Sequence, residues 1–194
     1  MKDTKKHTTQ EEALEAVKTL IRYIGDDPER EGLIETPMRV IKSFDEYYAG
    51  YHLNPQKYLQ KTFSAGLEAY KEMVIVKDIT VFSHCEHHMV PFYGLAHIGY
   101  IPNKKIVGLS KLARVVDGFA KRLQTQETLT LQVAEAIQNE LEPYGVGVVI
   151  KAVHGCMVSR GVGSSESSTI TSKLLGVMLE EKETRSEFLS LIKQ

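Results

Sequence analysis

The sequence predicts an α+β protein: an antiparallel ββααββ unit of strands and helices that follows an N-terminal helical extension. Two observations carry this prediction. Between Met73 and Ile101 the chain is rich in β-branched and aromatic residues, which favour strands, and a second such region follows residue 145. Between Leu112 and Leu141 the apolar residues recur at the spacing of an α-helix. The 194 residues are also enough to bury one substantial core.

The first helix is predicted to begin after Thr8 or Thr9. Either threonine can cap the helix, and Glu11 or Glu12, three residues later, would complete a capping box. Gly25 suits the end of the helix. Between these limits the apolar residues recur at helical spacing, at Leu14, Val17, Ile21 and Ile24.

A second helix is predicted to open at Thr36 and Pro37, as the N-cap and the first helical residue. Residues 50–72 have no convincing period and are predicted as loop or short turns. The chain therefore divides into an N-terminal helical region, residues 1–72, and a second domain, residues 73–194. The apolar face of the second helix comprises Val40, Ile41, Phe44 and Tyr48.

Residues 73–194 contain the predicted ββααββ unit. The segments MVIVKDITVF and YGLAHIGYI are typical of two strands, VGVVIKAVH predicts a third and STITSKLLGVML a fourth, before a short helix near TRSEFLSLIK. Two amphipathic helices separate the strand pairs, and the second ends at Pro143 or Gly145. Their apolar faces are Leu112, Val115, Val116, Phe119 and Leu123 in the first helix, and Leu129, Val133, Ile137 and Leu141 in the second.

The composition argues against several classes of function. A net charge of −1 offers no overall attraction for nucleic acid or for an anionic membrane. No apolar run approaches the ~20 residues that a membrane span needs. The N-terminus has basic residues but no apolar segment after them, so it does not resemble a secretory signal. We therefore expect a cytoplasmic protein that binds neither nucleic acid nor membrane.

The segment SHCEHHMVPFYG places three histidines next to one of the two cysteines of the chain. Cys85 and His88 form a Cys-x-x-His pair, and Cys156 can return from a distant strand end. Thiolate and imidazole ligands suit zinc, and three protein ligands leave the open position of a catalytic site. A Cys85–Cys156 disulfide is the simpler alternative, although a cytosolic setting favours reduced thiols.

Two further histidines stand beside these candidate ligands. His87 precedes His88, and His154 lies two residues before Cys156. Neither is needed as a third ligand, and a histidine near a metal is well placed for proton transfer around neutral pH. His84 has the plainer interpretation of a polar loop residue beside the cluster.

Other polar groups follow along the chain. Ser110, Lys111 and Arg114 stand at the start of a predicted helix, which makes a phosphate site there plausible, with Ser110 as a cap. A solvated helix face explains the same residues. Gln126 and Glu127 open the next helix, where an acidic residue is expected for its interaction with the helix dipole alone, and Arg160 can equally be an ordinary surface arginine.

These motifs together resemble the GTP cyclohydrolase I family. The resemblance rests on DDPEREGLIETPMRV, CEHHMVPFYG, GLSKLARVV, RLQTQE, VHGCMVSRG and TRSEFLSLI, which occur in this order. It covers the chain from about residue 11 to the C-terminus. It implies the tunnelling fold, whose ββααββ order agrees with the order predicted above. It also implies a homo-oligomer, a ring of ten subunits with active sites between subunits.

The resemblance also implies a role for each matching residue. The zinc ligands would be Cys85, His88 and Cys156, and the catalytic histidines would be His87 and His154. GTP would be the substrate, opened at carbon 8 with release of formate to give 7,8-dihydroneopterin triphosphate. Gln126 and Glu127 would recognise its guanine, and the triphosphate and ribose would contact Ser110, Lys111, Arg114 and Arg160.

Two alternatives belong to other classes. A related tunnelling-fold enzyme acting on a pterin or deazapurine would also use Glu127 to bind the ring, but it would have no need of the zinc triad. A zinc-stabilised interaction module without enzymatic activity would have a closed site of four ligands. Such a module gives no reason for the cationic residues to converge.

Overall fold

The computed structural model describes residues 8–64, 72–160, 163 and 166–193. The chain folds as two compact units, Met1–Tyr48 and Ala49–Gln194. The first unit contains helices α1 (Gln10–Tyr23) and α2 (Thr36–Tyr47), which pack against each other.

The capping box predicted for the first helix is present and uses Thr9 and Glu12. The Thr9 hydroxyl accepts a hydrogen bond from the Glu12 backbone N–H, and the Glu12 carboxylate accepts one from the Thr9 backbone N–H. Two of the amide hydrogens that a helix start leaves unpaired are thereby satisfied. The second helix begins one residue earlier than predicted, because its N-cap is Glu35 and Thr36 is already helical; its Pro37 stands in the first turn, where a missing N–H costs nothing.

The strands of the second unit are β1 (Thr62–Phe63), β2 (Val74–Cys85), β3 (Pro91–Ile101), β4 (Ile106–Val107), β5 (Leu123–Gln124), β6 (Gly145–His154) and β7 (Thr169–Gly176). Five of them form one sheet in the order β5-β2-β3-β6-β7. The pairs β2–β3, β3–β6 and β6–β7 are antiparallel, whereas the short β5 runs parallel to β2. Two further strands form a small antiparallel pair, β1 with β4.

Two long helices, α3 (Leu109–Ala120) and α4 (Gln126–Leu141), pack on one face of this sheet. Their fully buried side chains join those of alternate strand residues in one core, because successive side chains of a strand point to opposite faces. This core includes Val81, Ile98, Leu112, Val116, Leu129, Val133, Ile137, Val148 and Ile150.

A second, smaller core lies on the opposite face of the sheet. Helix α7 (Lys182–Leu191) places the fully buried Phe188 there, next to the buried Val149 and to Met178 of α6 (Val177–Glu180). Gly99 and Gly147 let the ring approach the sheet, since a Cβ at either position would lie within 2.8 Å of the Phe188 ring. The last helix, α5 (Gly155–Val158), follows β6 directly.

The predicted α+β class, the antiparallel strands and the ββααββ order are confirmed, and two predictions for the first of the two long helices are wrong. Leu123 is not on its apolar face, because the helix ends at Ala120 and Leu123 pairs as part of β5 with the edge of β2. Ser110 does not cap it, because the N-cap is Gly108 and Ser110 is already helical. In the described part of the chain, no helix combines the length and apolarity that crossing a membrane requires.

Candidate functional site

A tight hairpin loop between β2 and β3 holds the first candidate ligands. Cys85 is the last residue of β2, and its carbonyl oxygen accepts hydrogen bonds from the backbone N–H groups of His88 and Met89 at 3.3 and 2.8 Å. The N–H of Cys85 donates in turn to the Val90 carbonyl at 2.9 Å. Met89 takes a positive φ of 54°, which turns the chain back into β3. The loop backbone therefore holds Cys85 and His88 one turn apart, on the same side.

The second cysteine reaches this loop through a close approach at Gly155. Residue His154 ends β6 opposite Phe92 of β3, and Cys156 follows in the short helix α5. A Cβ on Gly155 would lie 2.6 Å from a Val90 methyl carbon and 2.8 Å from the Pro91 carbonyl oxygen. Only glycine allows the two backbones to come so close. The absence of a side chain at position 155 thus helps to bring Cys156 to the hairpin.

The ligand atoms of Cys85, His88 and Cys156 all lie within 4.8 Å of one another. Cys85 Sγ is 3.7 Å from His88 Nδ1, and a tetrahedral zinc ion needs donor atoms roughly 3.3–3.8 Å apart. Both cysteines are free thiols, so the alternative disulfide is not formed. Burial and the neighbouring Cys85 raise the pKa of the Cys156 thiol, and a divalent cation between the thiols would oppose both effects. Two sulfurs and an imidazole nitrogen in this arrangement fit a metal ion such as zinc.

His87 lies at the edge of the metal-ligand group. Its Nδ1 is 3.7 Å from Cys85 Sγ, but the three-residue group includes His88 and not His87. Its side chain is 65% exposed and its Nε2 lies 3.8 Å from a carboxylate oxygen of Glu86. An imidazole that is both open to solvent and adjacent to a ligand can meet a substrate directly.

His154 is held far more rigidly. Its ring stacks on the fully buried ring of Phe92, with centroids 4.7 Å apart and planes 7° from parallel. Its Nε2 lies 2.7 Å from Oε1 of the buried Gln126. Burial lowers the pKa of His154, and the charge of Glu127 partly opposes that shift. The environment thus favours a neutral imidazole.

The two residues that open α4 point in different directions. The Gln126 side chain is 1% exposed and hydrogen-bonds within the protein, whereas Glu127 is exposed. Glu127 lines a pocket of about 180 Å³ that also contains Thr130, Leu131, Thr171, Ser172 and Lys173. The pocket is small, and its carboxylate and hydroxyl groups can bind a polar planar ring.

The four residues predicted for phosphate and ribose contacts are on the surface. Ser110, Lys111 and Arg114 stand in the first two turns of α3, where their spacing puts them on neighbouring positions of the helix surface. Arg160 follows α5 and is exposed. Within the described ranges, no hydrogen bond or ion pair connects any of the four with the cysteines, although the charge of Arg160 acts on the Cys156 thiol and partly opposes the rise in its pKa that burial causes.

Three features of the site have no signal in the sequence. These are the stacking of Phe92 on His154, the close approach at Gly155 and the hydrogen bonds from Gln126 to β6 and β7. Each depends on pairing between segments far apart in the chain.

The fold and the site together define a class of protein. Three side chains that could hold a metal ion, near one exposed and one anchored histidine, are the set of groups that a metal-dependent hydrolytic enzyme uses. The family model of GTP cyclohydrolase I matches residues 13–193. The chain belongs to the GTP cyclohydrolase I family. It therefore has the tunnelling fold and acts as a GTP cyclohydrolase I, the enzyme that catalyses the first step of pteridine and folate synthesis.

Two relatives of high identity, both named GTP cyclohydrolase 1, agree with this assignment. The chain is 50% identical to GTP cyclohydrolase 1 of Pelagibacter ubique over 98% of its own length and 93% of the relative's. It is 55% identical to GTP cyclohydrolase 1 of Chlorobium chlorochromatii over 92% of this chain and 79% of that one. Among solved structures it is similar to the archaeosine synthase QueF-Like in the apo form, at 18% identity and a TM-score of 0.45, over 54% of this chain and 93% of that one. Membership of the family implies GTP as the substrate and an oligomeric assembly.

Proposed function

We propose that Cys85, His88 and Cys156 bind one catalytic zinc ion per chain. The observation that carries the proposal is the convergence of two thiols and one imidazole within 4.8 Å, with no fourth His, Cys, Asp or Glu ligand in that group among the described residues. Such a donor set suits zinc, and its open position suits catalysis.

A site that depends on reduced thiols also supports a cytoplasmic location. All the proposed site residues fall within residues 73–194, which we propose as the catalytic domain, after an N-terminal helical region of residues 1–72.

The reaction proposed for this site opens the imidazole ring of GTP at carbon 8. Carbon 8 leaves as formate, and rearrangement of the ribose followed by ring closure gives 7,8-dihydroneopterin triphosphate. The chemistry that a zinc ion supplies in such a site is Lewis-acid activation of water near neutral pH. His87 donates a proton to nitrogen 7 as the ring opens, and its exposure and its contact with Cys85 support this role. His154 transfers a proton during ring opening or loss of formate.

We assign recognition of guanine to Glu127. Its exposed carboxylate can accept hydrogen bonds from the ring N–H and the exocyclic amine of guanine, and such charge-assisted bonds are about twice as strong as neutral ones. Gln126, predicted to share this role, has its side chain buried inside the chain. The triphosphate and ribose are assigned to Ser110, Lys111, Arg114 and Arg160, three of which stand at a helix N-terminus, where the dipole favours anions.

The proposed assembly is a decamer with active sites between subunits. One face of the sheet leaves large apolar side chains exposed on neighbouring strands, and a patch of this kind marks a protein interface. Sites shared between subunits would also bring the α3 cations of one chain to the metal ligands of another. The exposed residues are Phe82, Tyr93, Leu95 and Ile170, at 45%, 51%, 41% and 64%.

Replacing Cys156 with serine should remove most of the bound zinc, because serine is a poor ligand and only two donors remain. Elemental analysis of the purified variant gives the zinc content per chain. Ser159→Ala, three residues further on, is the matched control and should keep about one zinc per chain. Full zinc content in Cys156→Ser would show that the ligand set is wrong.

His87→Ala and His154→Ala should each keep zinc and lose turnover by about 10²- to 10⁴-fold, the usual contribution of a general acid or base. Formate release and the pteridine chromophore report the rate, and elemental analysis reports the metal. Loss of zinc in either variant would make that histidine a ligand, and near-normal rates would dismiss the assigned role.

Replacing Glu127 with glutamine should collapse the preference for GTP over inosine triphosphate, which lacks the exocyclic amine. When inosine triphosphate binds the parent protein, the Glu127 carboxylate loses its hydrogen bond from the exocyclic amine and is desolvated without a full set of partners, which weakens binding. The neutral amide of the variant lacks this penalty, so it does not separate the two nucleotides in the same way. The measurement is the ratio of kcat/KM for the two nucleotides in parent and variant, at equal zinc content. An unchanged ratio would leave Glu127 as an ordinary acid at a helix start.

Light scattering of the purified protein at micromolar concentration should give a mass about ten times the 21.8 kDa of one chain. Replacing Tyr93 and Leu95 with serine should lower that mass, because the variant loses apolar area from the exposed sheet face. A parent protein that is fully active as a monomer would contradict the assembly and the shared site together.

A further inference from the structure

The hydrogen bonds around Gln126 determine which way its amide points. Its nitrogen Nε2 lies 3.0 Å from the Ile150 carbonyl oxygen and 3.1 Å from the Thr169 carbonyl oxygen. Carbonyl oxygens only accept hydrogen bonds, so the atom facing both of them must be the amide nitrogen. Exchanging nitrogen and oxygen would place three acceptors against one another in a buried position. The oxygen Oε1 must therefore face His154.

A pair of threonines supports the same orientation. The Thr130 hydroxyl donates to the Gln126 backbone carbonyl at 2.7 Å, which uses its single hydrogen. The Thr171 hydroxyl, 2.6 Å away, must then donate to Thr130. Because its own hydrogen is used in that bond, Thr171 can only accept from Gln126 Nε2, which lies 3.1 Å from it. The amide nitrogen has two hydrogens for these three acceptors, so one hydrogen is shared, and each of the three contacts requires nitrogen rather than oxygen at this position.

This orientation determines the protonation of the histidine ring. Oε1 of Gln126 is an acceptor, so the contact of 2.7 Å requires a hydrogen on His154 Nε2. A neutral imidazole with its hydrogen on Nε2 carries a lone pair on Nδ1. Among the residues that the structure describes, Nδ1 of His154 makes no hydrogen bond. The stacked ring of Phe92 prevents the imidazole from tilting out of this plane.

We infer that Gln126 is a positioning residue, which holds the His154 ring with Nε2 protonated and leaves Nδ1 as the nitrogen that accepts a proton in the reaction. The inference rests on the proposed role of His154, and it gives Gln126 a function different from guanine recognition. The buried Gln126 side chain acts on the reaction only through its hydrogen bond to His154, whereas the exposed side chain of the neighbouring Glu127 is open to the substrate.

The first test is a double-mutant cycle between Gln126→Met and His154→Ala. Methionine has a similar length but no amide, so the ring loses its partner while the space stays filled. In the parent background we expect kcat to fall about 10- to 100-fold, the usual effect of removing the partner that orients a functional histidine. The KM for GTP and the ratio of GTP to inosine triphosphate should stay within about twofold. In the His154→Ala background the same change should have almost no further effect on kcat.

Gln138→Met is the matched control. Gln138 lies on the same helix, is also partly buried and donates to the Pro143 carbonyl oxygen, but it has no contact with His154. This variant should keep the parent kcat. Zinc content and native mass, measured for every variant, separate an effect on the ring from a loss of structure.

Three results would overturn the inference. A higher KM with a collapsed nucleotide ratio would return Gln126 to guanine recognition. Equal losses of kcat with and without His154 would show that Gln126 acts independently of the histidine. A normal kcat in Gln126→Met would remove the role altogether. If His154→Ala itself turns over normally, the proposed role of His154 fails instead.

The second test needs no variant at position 126 and so holds even if Gln126→Met does not fold. Solid-state NMR of the parent protein, labelled with ¹⁵N-histidine, reports the tautomer of each ring, and the signals missing from His154→Ala belong to His154. The inference requires a protonated Nε2 and an unprotonated Nδ1 in the neutral ring. The opposite tautomer would contradict it directly.

Discussion

The pairing of β3 with two neighbours is the constraint on which the site depends. Phe92 stands opposite Ser83 of β2 and opposite His154 of β6, so the C-terminal ends of β2 and β6 lie at the same end of the sheet, on either side of β3. Cys85 and Cys156 each lie two residues beyond that row. Because side chains alternate between faces, a slip of one residue in either ladder would turn these groups away from each other. The metal-ligand group exists only in this register.

The register brings the two cysteines to the same end of the sheet. The close contact at Gly155 then brings the start of α5, which carries Cys156, against the hairpin loop. The hairpin loop and the start of α5 touch through backbone atoms and one valine side chain, where a Cβ has no room. Such contacts are stiff because both partners are tied down, the loop by its hydrogen bonds to Cys85 and the helix by the end of β6. A metal site benefits from this stiffness, since the ligands need little reordering before they bind.

The site separates groups that must stay still from groups that must meet the substrate. His154 is anchored by a stacked ring and a buried amide that is itself bound to two strands, so its position follows the sheet. His87 and Glu127 are exposed, on a loop and at a helix start. In the proposed mechanism this division is useful, because proton transfer requires a defined distance and angle, whereas nucleotide binding requires an open surface. The sheet therefore holds His154 in a defined position, and the loop and the helix start leave His87 and Glu127 accessible to the substrate.

The sequence by itself determined the class of fold, the order of the main elements and the closeness of Cys85 and His88 in one loop. These depend on local patterns: a helical or strand period, a capping box at Thr9 and the spacing of Cys85 and His88, which a short loop keeps close in any fold. Only the tertiary structure decided that Leu123 joins the edge of β2, that Cys156 reaches the hairpin and that Gln126 faces inward to His154. Those outcomes follow from strand register and from buried hydrogen bonds between segments more than 20 residues apart, where no local preference acts. Gln126 and Glu127 are adjacent in sequence and similar in size, and only the tertiary structure makes one a part of the interior and the other a part of the surface.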